Sequence, residues 1–300
     1  MSEYNLKEAI QEVKLVNITP KPIETIYKAY KICYAKGNYD DIKIPQRTTI
    51  ENGEEINVPD YIKMINFIIK PMSADPPHTS PLEHVSFTFS FSGVSRALTH
   101  QLVRHRTGKF NQQSQRYVDF SSFQFVLPPR FKNSPLAKDL FLKTMEQDAE
   151  NYDKLLEIGI ADEIINSMTK EQKQEVQSEL SNYLMDTTKG IVQAYKKLYP
   201  KEYNKIKKSV QEDARYVLSN ACTSNIIMTM DLNNFRKFYA LRNCTNAQWE
   251  IRELAKKCGD LLIKHVPFAL YRVMPCGETC MGCERGLSIA KKRKENEGGK

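Results

Sequence analysis

The stretch HVSFTFSFSGVSRALTHQLVRHR, His84 to Arg106, decides the fold. Val85, Phe87, Phe89 and Phe91 alternate with Ser86, Thr88, Ser90 and Ser92. A period of two predicts a half-buried strand over 84–92, one face apolar and one hydroxylated. Past Gly93 the spacing of Val94, Ala97, Leu98 and Leu102 changes to helical periodicity, which carries the chain to Arg104. The polar run RHRTGKFNQQSQRY, 104–117, begins where that helix ends. Gly108 permits a sharp turn there, so the run reads as an ordered loop before VDFSSFQFVLPP resumes extended structure.

Outward from this core the pattern stays mixed. From Ser134 to about Tyr203 charged residues interleave with Leu, Ile, Met and Tyr, and Gly159 and Gly190 mark expected breaks in an antiparallel helical pair. Ser209 and Glu212 have capping-box spacing and predict the start of a helix through Ala214, Val217 and Leu218. SNIIMTMD, 224–231, reads as a buried strand. Two helical stripes follow, Leu232, Phe235, Phe238 and Leu241, then Ile251, Leu254, Ala255, Cys258 and Leu262, with Thr245 and Gln248 as the cap of the second. With no repeat, linker or shift in composition, the expectation is one α+β domain. Its central, mostly antiparallel sheet is packed with helices, a helical segment spans about 134–203, and residues 291–300 form a charged tail after a domain of 1–290.

Composition sets outer limits. In 300 residues, 41% hydrophobic and 27% charged is ordinary for a folded chain, which argues against disorder. The 44 Lys and Arg outnumber the 36 Asp and Glu by eight. Five bases and two acids of that balance lie in KKRKENEGGK, so three positive charges belong to the tail and five to the body. The excess favours anionic ligands in general. The charged N-terminus excludes a secretory signal with an uninterrupted apolar centre, and no run reaches the ~18 apolar residues of a membrane span. Seven cysteines without an export signal point to reduced thiols in the cytoplasm.

Within the polar run, Arg104, Arg106, Lys109 and Arg116 concentrate like charge between regular elements. Any one of them is accounted for by solvent or by a helix C-terminus. Together they call for an anion, and arginine forks match phosphate oxygens, with Asn111 and Ser114 as neutral donors. Nucleic acid would satisfy the same charge, but Phe110 and Tyr117 are too few for a base-stacking series and no nucleic-acid-binding signature accompanies them. A small phosphorylated ligand is the better expectation.

These fourteen residues resemble the signature of flavin-dependent thymidylate synthases: Arg104-His105-Arg106, seven residues, Ser114, then Arg116-Tyr117, with Asn111 ahead of the serine. HTSPLEH, 78–84, and LRNCTNAQWEIRELA, 241–255, are similar to two further family segments, and the resemblance covers 78–128 and 210–270. It implies methylation of dUMP to dTMP, with the carbon from methylenetetrahydrofolate and reducing equivalents from NAD(P)H through FAD. It implies a homotetramer whose active sites are shared between subunits. By the same resemblance Gln101, Leu102, Val103, Arg104, Gln112, Gln113, Ser114, Gln115, Arg116, Arg215 and Arg242 take dUMP. His78, Ser80, Arg104, His105, Arg106, Gln112, Asp231, Asn233 and Lys237 take FAD, and no metal is implied. Arg242 is the catalytic candidate. A guanidinium cannot serve as a base, but its charge lowers the pKa of a nearby acid and stabilises the ring anion that must attack carbon.

Several positions depart from the family pattern. Gln112 stands where many members have Glu, Asp231 and Asn233 where Asn and Arg are common, and Lys237 where His or Asn is common. The chain also lacks the glycine fingerprint of dinucleotide folds, leaving the arginines to hold the flavin.

Of the remaining chemistry-bearing residues, His84, His100 and His265 read as structural, and Trp249 as a packing residue. Cys276, Cys280 and Cys283 have the C-x3-C-x2-C spacing of radical iron-sulfur enzymes, but too little chain follows for the barrel those require. Free thiols and a structural zinc completed by Cys258 or His265 both stay open. Two rival functions follow from the residues alone, a non-catalytic nucleotide- or RNA-binding protein and, further off, a radical iron-sulfur enzyme.

Overall fold

The computed structural model describes residues 6–116, 118, 120, 123–180 and 187–273. The chain forms two compact units, each assembled from several lengths of sequence. One holds 11–92, 98–111 and the chain from 225 on, and is built on a sheet; the other holds the first ten residues, 93–97 and 112–224, and is built on helices.

The chain opens with a short strand of the helical unit, β1 (Lys7–Glu8); the sheet unit then starts with β2 (Glu12–Ile18), α1 (Pro22–Ile32), the hairpin β3 (Gln46–Glu51) and β4 (Glu54–Pro59), and α2 (Tyr61–Met72). The signature region supplies β5 (Ser86–Ser95), α3 (Arg96–Leu102) and β6 (Lys109–Gln112). The four-stranded sheet has the order β2, β5, then the strand Thr223–Asp231, then β6. β2 and β5 are antiparallel. The expected alternation in β5 is present: Val85, Phe87, Phe89 and Phe91 are buried, and Thr88 on the opposite face shares a 2.9 Å hydrogen bond with Thr229. The strand begins two residues later than expected and runs on through Val94 to Ser95, so the helix after it starts only at Arg96 and ends at Leu102. The polar run is not all loop, because Lys109–Gln112 adds a strand at the sheet edge.

In the helical unit, β7 (Gln124–Phe125) pairs in parallel with β1. It is followed by α4 (Pro129–Lys132), α5 (Pro135–Ser167), α6 (Lys170–Glu179), α7 (Thr187–Leu198) and α8 (Pro200–Ala214). The expected pair is therefore a group of helices, and neither glycine breaks one. Gly159 lies inside α5, where an added Cβ would sit 2.7 Å from Val210 Cγ1 of α8, so it serves close helix packing. Gly190 lies inside α7. Among the described residues the helices break at Met168, before the Thr169/Gln172 capping box of α6, and at Tyr199, before Pro200. Ser209 is interior to α8, which Pro200 opens from its first turn, so its capping-box spacing is coincidental. Met145, Ala149, Tyr152 and Leu156 of α5 pack with Phe120, Phe123, Phe125 and Leu127 as one core, and Ile160, Ile164, Val176, Ala194 and Tyr195 form a second.

The strand predicted at 224–231 is β8 (Thr223–Asp231), leading into α9 (Leu232–Arg242) and α10 (Trp249–Leu262). Leu232, Phe235 and Phe238 are buried as expected, with Phe235 edge-on to Phe87 at 5.2 Å, but Leu241 is 64% exposed and Tyr239 takes its place in the stripe. All five residues of the α10 stripe are fully buried, and α10 lies against β2 and α9. Its cap is Gln248 itself, whose Oε1 accepts from the backbone of Glu250 and Ile251, rather than Thr245. Among the described residues no helix is long and apolar enough to cross a membrane.

Candidate active site

In the sheet unit the site grows from the two ends of α9. At its start Asp231 caps the helix: Oδ1 accepts from the backbone N–H of Asn234 at 2.9 Å and Oδ2 from the Asn234 side chain at 2.6 Å. At its end stands Arg242, one turn beyond the buried Phe238. His105 meets both. A tight turn after α3 fixes its backbone, its N–H donating to the Leu102 carbonyl at 3.1 Å and its own carbonyl accepting from Gly108 at 2.9 Å. Gly108 leaves room there for its neighbours, since an added Cβ would fall 2.6 Å from the Phe110 ring and 3.0 Å from Met230 Cε.

The His105 ring stands edge-on to Phe238 with centroids 4.9 Å apart, and its Nε2 accepts a hydrogen bond from Arg242 Nε at 2.8 Å. An arginine only donates, so Nε2 carries the lone pair and Nδ1 the proton. Burial, and then the charge of Arg242, depress the His105 pKa to about 4, which leaves the ring neutral. Arg242 is itself shifted down, by burial and then by the neighbouring Arg104. Arg104 and Arg106 are exposed, Gln101 is half-buried, Leu102 is buried and Val103 is exposed.

The HTSPLEH segment contributes a second group. His78 Nε2 and Ser80 Oγ are hydrogen-bonded at 3.2 Å, and the His78 ring stands edge-on to Tyr30, whose hydroxyl donates to the His78 carbonyl at 2.5 Å. Burial pushes the Tyr30 pKa up to about 12. Asn233, buried at the start of α9, donates to Glu83 Oε1 at 2.8 Å, while Lys237 is exposed one turn further on. Glu83 lies within a segment that sequence reading singled out, yet nothing in the sequence pairs it with a residue 150 positions away.

The helical unit holds the rest of the signature. Gln112 Nε2 donates to Ser224 Oγ at 3.1 Å, and Ser114 Oγ accepts from the Arg116 backbone at 3.1 Å. Arg116 Nε donates to Glu212 Oε1 at 2.5 Å, and its Nη2 pairs with the same oxygen. Gln115 is buried and hydrogen-bonds the thiol of Cys222, whose pKa burial raises to about 12 against the pull of Arg96. Arg96 is lowered by burial, and the charge of Arg215 adds to that. Gln113 is half-buried. Nothing in the sequence marks Arg96 or Ser224 as partners of these side chains, and the capping-box spacing of Glu212 points to a role it does not play.

Tyr117, Cys276, Cys280, Cys283 and the tail 291–300 lie outside the described residues. Cys258 belongs to the buried face of α10, whereas His265 is exposed. Among the described residues no three His, Cys, Asp or Glu side chains gather as a metal site. In the sheet unit Arg104 stands beside Arg242, and in the helical unit Arg215 stands beside Arg96; each cationic pair suits an anionic group such as a phosphate or a ring edge that acquires negative charge.

Comparison with known proteins agrees with this chemistry. The family model described as thymidylate synthase complementing protein, Thy1, matches residues 14–169 and 164–268. A flavin-dependent thymidylate synthase of Clostridium tetani is 34% identical over 286 residues, 93% of this chain and 96% of that protein. One from Nitratidesulfovibrio vulgaris is 35% identical over 243 residues, 81% of this chain and 78% of that protein. Among solved structures, a UMP/dUMP methylase, PolB, from Streptomyces cacaoi, solved with 5-Br dUMP, superposes with a TM-score of 0.56 at 18% identity, over 90% of this chain and 99% of that chain, which supports the fold. The α+β chain with its arginine-rich signature thus belongs to the family of flavin-dependent thymidylate synthases, which are enzymes.

Proposed function

We propose that the protein methylates dUMP to dTMP, with methylenetetrahydrofolate as the carbon donor and NAD(P)H as the reductant of a bound FAD. The observation that carries the reading is Arg242: a guanidinium held by His105 and drawn down in pKa by burial and by Arg104, so that two cations stand together. Such a pair is relieved by an anionic ligand. Gln101, Leu102, Val103, Arg104, Gln112, Gln113, Ser114, Gln115, Arg116, Arg215 and Arg242 are the residues assigned to dUMP. Arg116 and Ser114 serve its phosphate or sugar, and Arg242 stabilises the charge left on uracil when the N3 proton departs. Because the guanidinium stays protonated throughout, its part is electrostatic.

FAD suits the donors present. Arg104, Arg106 and Lys237 are exposed cations, and the His78–Ser80 pair offers further hydrogen-bonding groups. FAD, when bound, supplies the hydride that completes the methyl group. Gln112 and His105 join that set, while Asp231 and Asn233, tied to Asn234 and Glu83, shape the turn on which it rests. Residues 1–290 act in this reading as the catalytic domain, the protein is a cytoplasmic homotetramer with active sites shared between copies, and neither membrane nor nucleic acid is a partner.

Purified protein should be yellow, release FAD on denaturation, oxidise NADPH faster when dUMP is added, and form dTMP only with the folate donor. Colourless protein whose affinity for RNA falls steeply with salt would replace this reading with the RNA-binding one.

A further inference from the structure

We propose that His105 is a positioning residue for Arg242: its Nε2 lone pair takes the Nε–H and thereby fixes the direction of the two terminal amino groups of the guanidinium. The proposal rests on the catalytic reading of Arg242 given above and adds to it the group through which that arginine is aimed.

Three observations carry it. First, the 2.8 Å bond engages Nε, the one donor on the side-chain stem, and leaves both Nη groups for a ligand. Second, Phe238 and Arg242 lie four residues apart on α9, so they share a helix face, and both touch His105: one at the face edge-on at 4.9 Å, the other at Nε2. The ring is held between a packing contact and a hydrogen bond on one rigid element. Third, the backbone of His105 is itself tied at both its N–H and its carbonyl, to Leu102 and Gly108. The Nε2 edge is therefore spent on Arg242, and whatever His105 offers a flavin must come from its other edge.

The test begins without substrate. With the imidazoles of the five histidines labelled with nitrogen-15, His105 should show the Nδ1–H tautomer near neutral pH, and Arg242→Ala should raise its Nε2–H fraction. An Nε2–H or cationic ring in the unaltered protein overturns the proposal, whether or not the protein makes dTMP. In the assay, His105→Leu should lower kcat by about 100-fold, the scale of a misplaced catalytic group. His105→Gln, which restores an acceptor near the Nε2 position, should recover to within about tenfold of the unaltered enzyme on the same scale. The double variant His105→Leu/Arg242→Ala should turn over no more slowly than Arg242→Ala alone. Losses that multiply in the double variant would show that His105 acts independently of Arg242 and would overturn the assignment. Should the leucine variant fail to fold, the glutamine variant and the tautomer decide. Absence of dTMP from the unaltered protein would sink the functional reading instead, leaving the tautomer to judge the contact.

Discussion

The Nε–H of Arg242 donates to Nε2 of His105 across 2.8 Å, joining the end of α9 to a signature residue 137 positions earlier. The contact makes the arginine a fixed charge rather than a mobile surface side chain, and electrostatic catalysis depends on charge that is already in place.

Arg242→Ala should therefore retain flavin and lose turnover by about 100- to 1,000-fold, the usual loss when one preorganised stabiliser is removed. Flavin absorbance and dTMP formation by the same sample measure the two quantities.

The depressed pKa of His105 makes a prediction about pH. Its folded value is about 4 against an ordinary 6.5, so the unfolded chain takes up the proton first as pH falls. The stability gained by keeping this ring neutral is fully present above about pH 6.5 and is lost as pH drops toward 4. Between pH 7 and 5 the unaltered protein should lose more unfolding free energy than His105→Gln, as urea titrations of both would reveal.

Gly108→Ala should destabilise by about 1–3 kcal/mol, because the new methyl must displace the Phe110 ring or Met230. Since the same residue donates to the His105 carbonyl, turnover should fall as well. Thermal melts and steady-state rates would measure both losses.

Gly159→Ala places a methyl 2.7 Å from Val210 Cγ1, and the clash should outweigh the gain in helix propensity of about 1 kcal/mol. Val210→Ala introduced alongside should recover much of the loss, so the two changes should be non-additive in denaturant unfolding.

How much of this was legible follows from the range of each interaction. The phenylalanine alternation of β5 and the apolar stripe of α10 were readable because each element repeats its own burial pattern along the chain. β6 was missed because four mostly polar residues at a sheet edge carry no such pattern. Gly159 looked like a break because the residue that demands it, Val210, is on another helix. The signature motif supplied the candidate residues, but the partners Glu83, Glu212 and Ser224 lie roughly one hundred positions or more from the side chains they hold, and only the folded chain brings them there.

The division into units made of separated lengths has a consequence for synthesis. A chain leaving the ribosome cannot finish the helical unit until Ser224 has emerged, nor bury the β5 phenylalanines under Phe235 until later still. Until then an apolar strand waits exposed for more than a hundred residues of translation, and this protein should depend on chaperones in proportion to that delay.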